Sequence, residues 1–200
     1  MIVRVLSALF AALVLNQAAP PSEADWRWLD TNRGAAFEAF MPTRQGARNL
    51  VTYRSYRDLY HDVEERYFSI RFAEGVSFAR DRLEATLLIP TAGSIQKQIL
   101  DLHMRGRLES LEELLPRVKV RRVLLDAVRC PAVRIRMDAL SKTAISLPER
   151  DMVFMHPFIH HISIDLGGAK VDATLYDDEN PLVLWAKDTF SALLACGSEK

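Results

Sequence analysis

"HISIDLGGAKVDATLY", residues 161–176, is the stretch whose reading decides the fold. Two alternating runs flank Gly167 and Gly168, and a glycine pair between such runs signals a two-residue hairpin turn. Placing the turn there sets the register. Leu166 faces Ala169, Asp165 faces Lys170 and Ile164 faces Val171. Ser163 then faces Asp172, Ile162 faces Ala173 and His161 faces Thr174. Side chains alternate along a strand, so one hairpin face is apolar, with Ile162, Ile164, Val171 and Ala173. The other is polar, with His161, Ser163, Asp165, Lys170, Asp172 and Thr174.

An apolar sheet face must be covered, and the sequence that follows reads as its cover. Asn180 suits a helix N-cap and Pro181 the first helical turn. Leu182, Trp185, Phe190, Leu193 and Leu194 line one side of a helix that stops at Gly197. Asp177, Asp178 and Glu179 precede its positive end, where the helix dipole favours them.

Upstream, "RLEATLLIP" (82–90) reads as a strand, and "TAGS" (91–94) leads into a helix carrying Ile95, Ile99 and Leu102. Gly106 breaks that helix, and a second short helix with Leu108, Leu111 and Leu115 ends at Pro116. Residues 47–72 read as strand, helix, strand, with one long hairpin as the alternative. Val51 and Tyr53 alternate, Ser55 and Asp58 cap a helix face of Tyr56, Leu59, Tyr60, Val63 and Tyr67, and Phe68, Ile70 and Phe72 alternate again. "RVKVRRVLL" (117–125) and "AVRIRMDAL" (132–140) read as strands. In the second, Val133, Ile135 and Met137 share one face and Arg134, Arg136 and Asp138 the other. "KTAISLP" (142–148) is a third candidate. Near the start, Ser22 caps a helix bearing Trp26, Leu29, Phe37 and Phe40, which Pro42 ends. The expected architecture is α+β: one domain over residues 20–200, with a mainly antiparallel sheet, helices on one face and a C-terminal helix.

Residues 1–19 read as a secretory signal. Arg4 gives a positive start, Val5 to Leu15 is a short apolar run, and small residues follow. The run falls short of the roughly 20 residues a membrane span needs, so no span is expected in the mature chain. The expected location is therefore secreted or periplasmic. The chain has two cysteines, and export with an even count favours a Cys130–Cys196 disulfide. Lys and Arg number 26 and so do Asp and Glu, a balance that argues against a nucleic-acid binder.

Chemistry-bearing residues are few. "VFMHPFIHHISIDL" (153–166) holds His156, His160 and His161, three of the chain's five histidines. The hairpin register sends His160 to the apolar face, bonded to backbone, and leaves His161 exposed on the polar one. From a regular strand they cannot ligate one ion. No Glu lies between His156 and His160, so the two-histidine zinc-peptidase pattern is absent. His161 and Ser163 sit about 7 Å apart along the strand, too far for a hydrogen bond. No catalytic residue, metal ligand or cofactor is assigned. The "TAGS" loop has backbone N–H groups suited to an anion, unless Ser94 caps its own helix. Arg117, Lys119 and Arg121, joined by Arg134 and Arg136, would form a cationic sheet face if their strands were neighbours. The functional expectation is a non-enzymatic exported binding or interaction module, with an anionic ligand or a protein as partner. The alternative is a hydrolase, metal-assisted through the histidines of 156–161.

Overall fold

The computed structural model describes residues 20–40, 49–57, 65–73, 83–106, 116–143, 158–166 and 169–198. Helix α1 spans Glu23–Phe40, and β1 (Asn49–Arg57), β2 (Arg66–Phe72) and β3 (Leu83–Pro90) follow. Helix α2 is Ile95–Met104, β4 is Val120–Asp126 and α3 is Ala132–Leu140. The chain closes with β5 (Phe158–Asp165), β6 (Lys170–Leu175) and α4 (Pro181–Ser198). The strands form one six-stranded sheet in the order β4-β3-β2-β1-β5-β6, antiparallel throughout. This is the α+β architecture read from the sequence, with its C-terminal helix.

The hairpin register agrees pair by pair: His161 opposes Thr174, Ile162 Ala173, Ser163 Asp172, Ile164 Val171 and Asp165 Lys170. Leu166 N–H donates to the Ala169 carbonyl, closing the ladder beside the turn. On the apolar face, Ile162, Ile164 and Leu175 join Tyr53, Phe68, Ile70 and Leu87 in the main core. Helix α4 covers this face with Leu182, Val183, Trp185, Ala186, Phe190 and Leu193. Asn180 Oδ1 accepts the Leu182 N–H, the cap expected from the sequence.

Helices α3 and α4 share that face, whereas α1 and α2 lie against the other, so the helices are not confined to one face as expected. A second cluster lies on the opposite face: Tyr67 and Leu88 of the sheet meet Leu29 of α1 and Ile95, Ile99 and Leu100 of α2. The reason is in β2 and β3, where Tyr67-Phe68 and Leu87-Leu88 place buried apolar residues on both sides. Central strands of this kind need cover on each face. The second cluster reaches β2, β3 and β4, and the β5–β6 half of that face is polar.

Three further readings need correction. "AVRIRMDAL" is helix α3, not a strand. Val133, Met137 and Leu140 face the core at i, i+4 and i+7, while Ile135 is 58% exposed. The short stretch fits both periods, and its Ala, Arg, Met and Leu are good helix formers. Ser55 does not cap a helix: β1 continues through Tyr56, and Ser55 is buried in it. Tyr67 likewise belongs to a strand, β2. The expected helix over 107–116, the residues Leu59, Tyr60 and Val63 of the helix face read within 47–72, and the candidate strand at 142–148 lie wholly or largely outside the described residues. So do residues 1–19, read from the sequence as a secretory signal, and the side chains of Phe37 and Phe40.

Cys130 and Cys196 are paired at disulfide-compatible distance, with Cα atoms 5.8 Å apart. The pairing fastens the end of α4 beside the start of α3. There α4 also passes close to the sheet: a side chain at Gly197 would meet Val123 at 3.2 Å. Among the described residues, no helix is long and apolar enough to cross a membrane. Replacing both cysteines by serine is expected to lower the unfolding free energy by roughly 2–4 kcal/mol. Thermal denaturation checks this, with a midpoint fall of roughly 5–15 °C expected. An unchanged midpoint in non-reducing buffer would argue against the link.

Candidate functional site

Adjacent histidines on β5 point to opposite faces and each meets a tyrosine of β1. His160 opposes Ser55 across the ladder and is fully buried. Its Nδ1 lies 3.0 Å from the Tyr53 hydroxyl. Its Nε2 lies 3.0 Å from Asp178 Oδ1, and Lys187 Nζ approaches the same oxygen at 2.9 Å. An ionised carboxylate only accepts, so His160 donates from Nε2–H. Nδ1 is then left to accept the Tyr53 proton. A polar chain therefore runs from β1 through β5 to the β6–α4 loop and α4, inside an otherwise apolar layer.

The electrostatics follow from burial. Desolvation holds His160 below its ordinary value, and the charges of Lys187 and Arg66 add to this against the opposing pull of Asp178. Burial pushes the Tyr53 phenol up to about 12. Burial works to raise the Asp178 carboxyl, but Lys187 and His160 outweigh it and leave it below the usual carboxylate range. His160 had been expected to bond backbone. It bonds side chains instead, because β5 pairs on both edges and its backbone groups serve the ladders.

His161 faces the other way. Its Nε2 is 2.9 Å from the Tyr56 hydroxyl and its Nδ1 3.0 Å from Thr174 Oγ1. Hydroxyls donate or accept by rotating, so both bonds survive either protonation state of the ring. Arg54 and Thr174 flank His161 in one cross-strand row. The next row along holds Thr52, Ser163 and Asp172. The Ser163 hydroxyl and then Lys170, 2.9 Å away, hold the Asp172 carboxyl below the usual range. Ser163 thus bonds Asp172 across the hairpin rather than His161 along the strand.

The other sequence candidates separate in space. His156 lies outside the described residues, and among those residues no cluster of three or more His, Cys, Asp or Glu could hold a metal ion. At "TAGS", the Ser94 side chain accepts from Lys97 N–H. Ile95 and Gln96 N–H donate to the Glu65 carboxylate. The helix start does hold an anion, and that anion is the chain's own Glu65. Arg134 and Arg136 sit on α3 and so do not extend a cationic sheet face. Arg136 instead turns to α4, where it lies 3.6 Å from Asp188 and its carbonyl accepts from Trp185 Nε1. The sequence reading missed a stacked Trp28–His103 pair, with ring centroids 3.9 Å apart and Asp25 against the imidazole. It also missed the roles of Tyr53, Asp178 and Lys187. The alternation that sends Tyr53 inward was the available signal.

No family model, curated protein or solved structure matches this chain.

Tyr53→Phe removes the donor to His160 Nδ1 and leaves a buried acceptor unmatched. Urea unfolding is expected to show a loss of about 1–3 kcal/mol. A smaller loss would mean that water or another hydroxyl replaces the phenol.

Proposed function

We propose that the chain is an exported, non-enzymatic interaction module, and that the polar half of its second sheet face, on β1, β5 and β6, holds an anionic ligand. The observation that carries this reading is the Arg54–His161–Thr174 row, with the Tyr56 hydroxyl bonded to the ring. Arg54, His161, Tyr56 and Thr174 share one sheet face, where the partly exposed imidazole bonds both hydroxyls and Arg54 is its ladder neighbour. Guanidinium presents paired N–H groups that match a carboxylate or phosphate. The neighbouring carboxylate, Asp172, is already engaged by Lys170 and Ser163. Export is supported by the Cys130–Cys196 pairing, since such links persist in oxidising compartments.

The test is a thermal-shift panel on oxidised protein with inorganic phosphate and with a sulfated glycan. A ligand at a hundred times its dissociation constant stabilises by about 2.7 kcal/mol, a midpoint shift of roughly 5–10 °C at this size. The shift is expected to vanish in Arg54→Ala combined with His161→Ala, and to persist in Arg129→Ala, whose guanidinium pairs with Asp126 far from the row. A flat response from the unaltered protein, or a shift retained in the double variant, would overturn this reading.

A further inference from the structure

Helix α4 is held at its two ends by different chemistry. Its last turn carries Cys196, paired with Cys130, and packs Gly197 against Val123. Its start is held by Asn180 capping Leu182 and by the Lys187–Asp178–His160 chain. The first fastening is indifferent to mild acid, whereas the second is built on a neutral imidazole.

We propose that His160, Asp178 and Lys187 form an acid-responsive latch, which releases the β6–α4 loop and the first turns of α4 while the Cys130–Cys196 pairing keeps the far end attached. The groups facing the ring account for the behaviour. Tyr53 comes from β1, Arg66 from β2, Asp178 from the β6–α4 loop and Lys187 from α4. Two of these are cations and one is a carboxylate. That carboxylate oxygen is already shared with Lys187, so a new positive charge on the ring is weakly compensated. A proton on Nδ1 would also point at the Tyr53 oxygen, which already takes hydrogen bonds from Ser55 and Arg66. Opening the loop instead exposes the imidazole to water, where it charges without these penalties.

The sign follows from linkage. His160 is depressed in the closed state, so the open state binds the extra proton. The latch is at full strength above the ordinary histidine value of about 6.5, and it weakens as pH falls from there toward the depressed closed-state value. Asp178 is also depressed, so its contribution is lost lower, below the ordinary carboxylate range. A response that begins near about pH 6.5 therefore belongs to the histidine.

Hydrogen exchange on the full oxidised chain tests this, comparing about pH 7.5 with about pH 5 after correction for intrinsic rates. Amides over residues 176–187 are expected to exchange several-fold faster in acid, up to a ceiling of about thirtyfold, because pH 5 lies about 1.5 units below the ordinary histidine value of about 6.5. Those over 190–198 and in β1–β3 should hold. His160→Gln keeps one donor and one acceptor but cannot charge, so it should abolish the acid increment. If that variant is unfolded by circular dichroism, Lys187→Gln serves: relieving the ring of a neighbouring cation should shrink the increment. An acid increment equal in size in the folded variant, or spread evenly over sheet and helix, would overturn the latch.

Discussion

The pairing of β1 with β5 is the constraint on which both sheet faces depend. One register sets Ser55 opposite His160 and Arg54 opposite His161. Because strand side chains alternate, a slip by one residue would exchange the faces of every group in the strand. His161 would enter the apolar layer without Asp178, and Ile162 and Ile164 would turn to the polar side. The β5–β6 hairpin and the apolar contacts of Tyr53 with Phe68, whose ring centroids are 5.4 Å apart, reinforce the same register from either side. Fixing that one alignment therefore builds the inner polar chain and the outer polar row together.

The inner chain is a costly way to fill a core. Buried polar groups stabilise little in net terms when matched, and cost heavily when one partner is lost. Here donors and acceptors link in sequence from Tyr53 to Lys187, and Asp178 brings the chain to the surface with its side chain about half exposed. An apolar substitute could pack as well but would not specify which loop lies against the sheet. The polar chain ties α4 to one position along the strands, and the apolar contacts of Leu182, Trp185 and Phe190 then fill the space it defines.

Local signals were legible where one period excluded the other. The hairpin was such a case, because a Gly-Gly turn between alternating runs leaves a single register. Helix α4 and its Asn180 cap were another, as was the Ser94 start of α2. Residues 132–140 were not, since Val133 and Met137 fit both a strand face and a helix face over so short a span. The start of the predicted helix at Ser55 failed for a related reason: the buried β1 strand continues past a residue that would also cap well. Half of the candidate site was visible, namely the opposite orientations of His160 and His161. The partners were not. Asp178 reaches His160 from a loop, and Glu65 reaches α2 from thirty residues earlier in the chain. Periodicity carries no information about such long-range meetings.

The placement of β1 inside the sheet has a consequence for how the chain is assembled. Strands β1 to β4 follow one another as neighbours, so their contacts are local and can form early. The outer edge of β1, however, is completed by β5, and Tyr53 and His160 are separated by 107 positions. Until the last fifth of the chain arrives, the early sheet carries an open edge on what will be its interior strand. Open edges of that kind recruit foreign strands. Pairing of β5 with β1 closes that edge, and α4 covers the apolar face beside it.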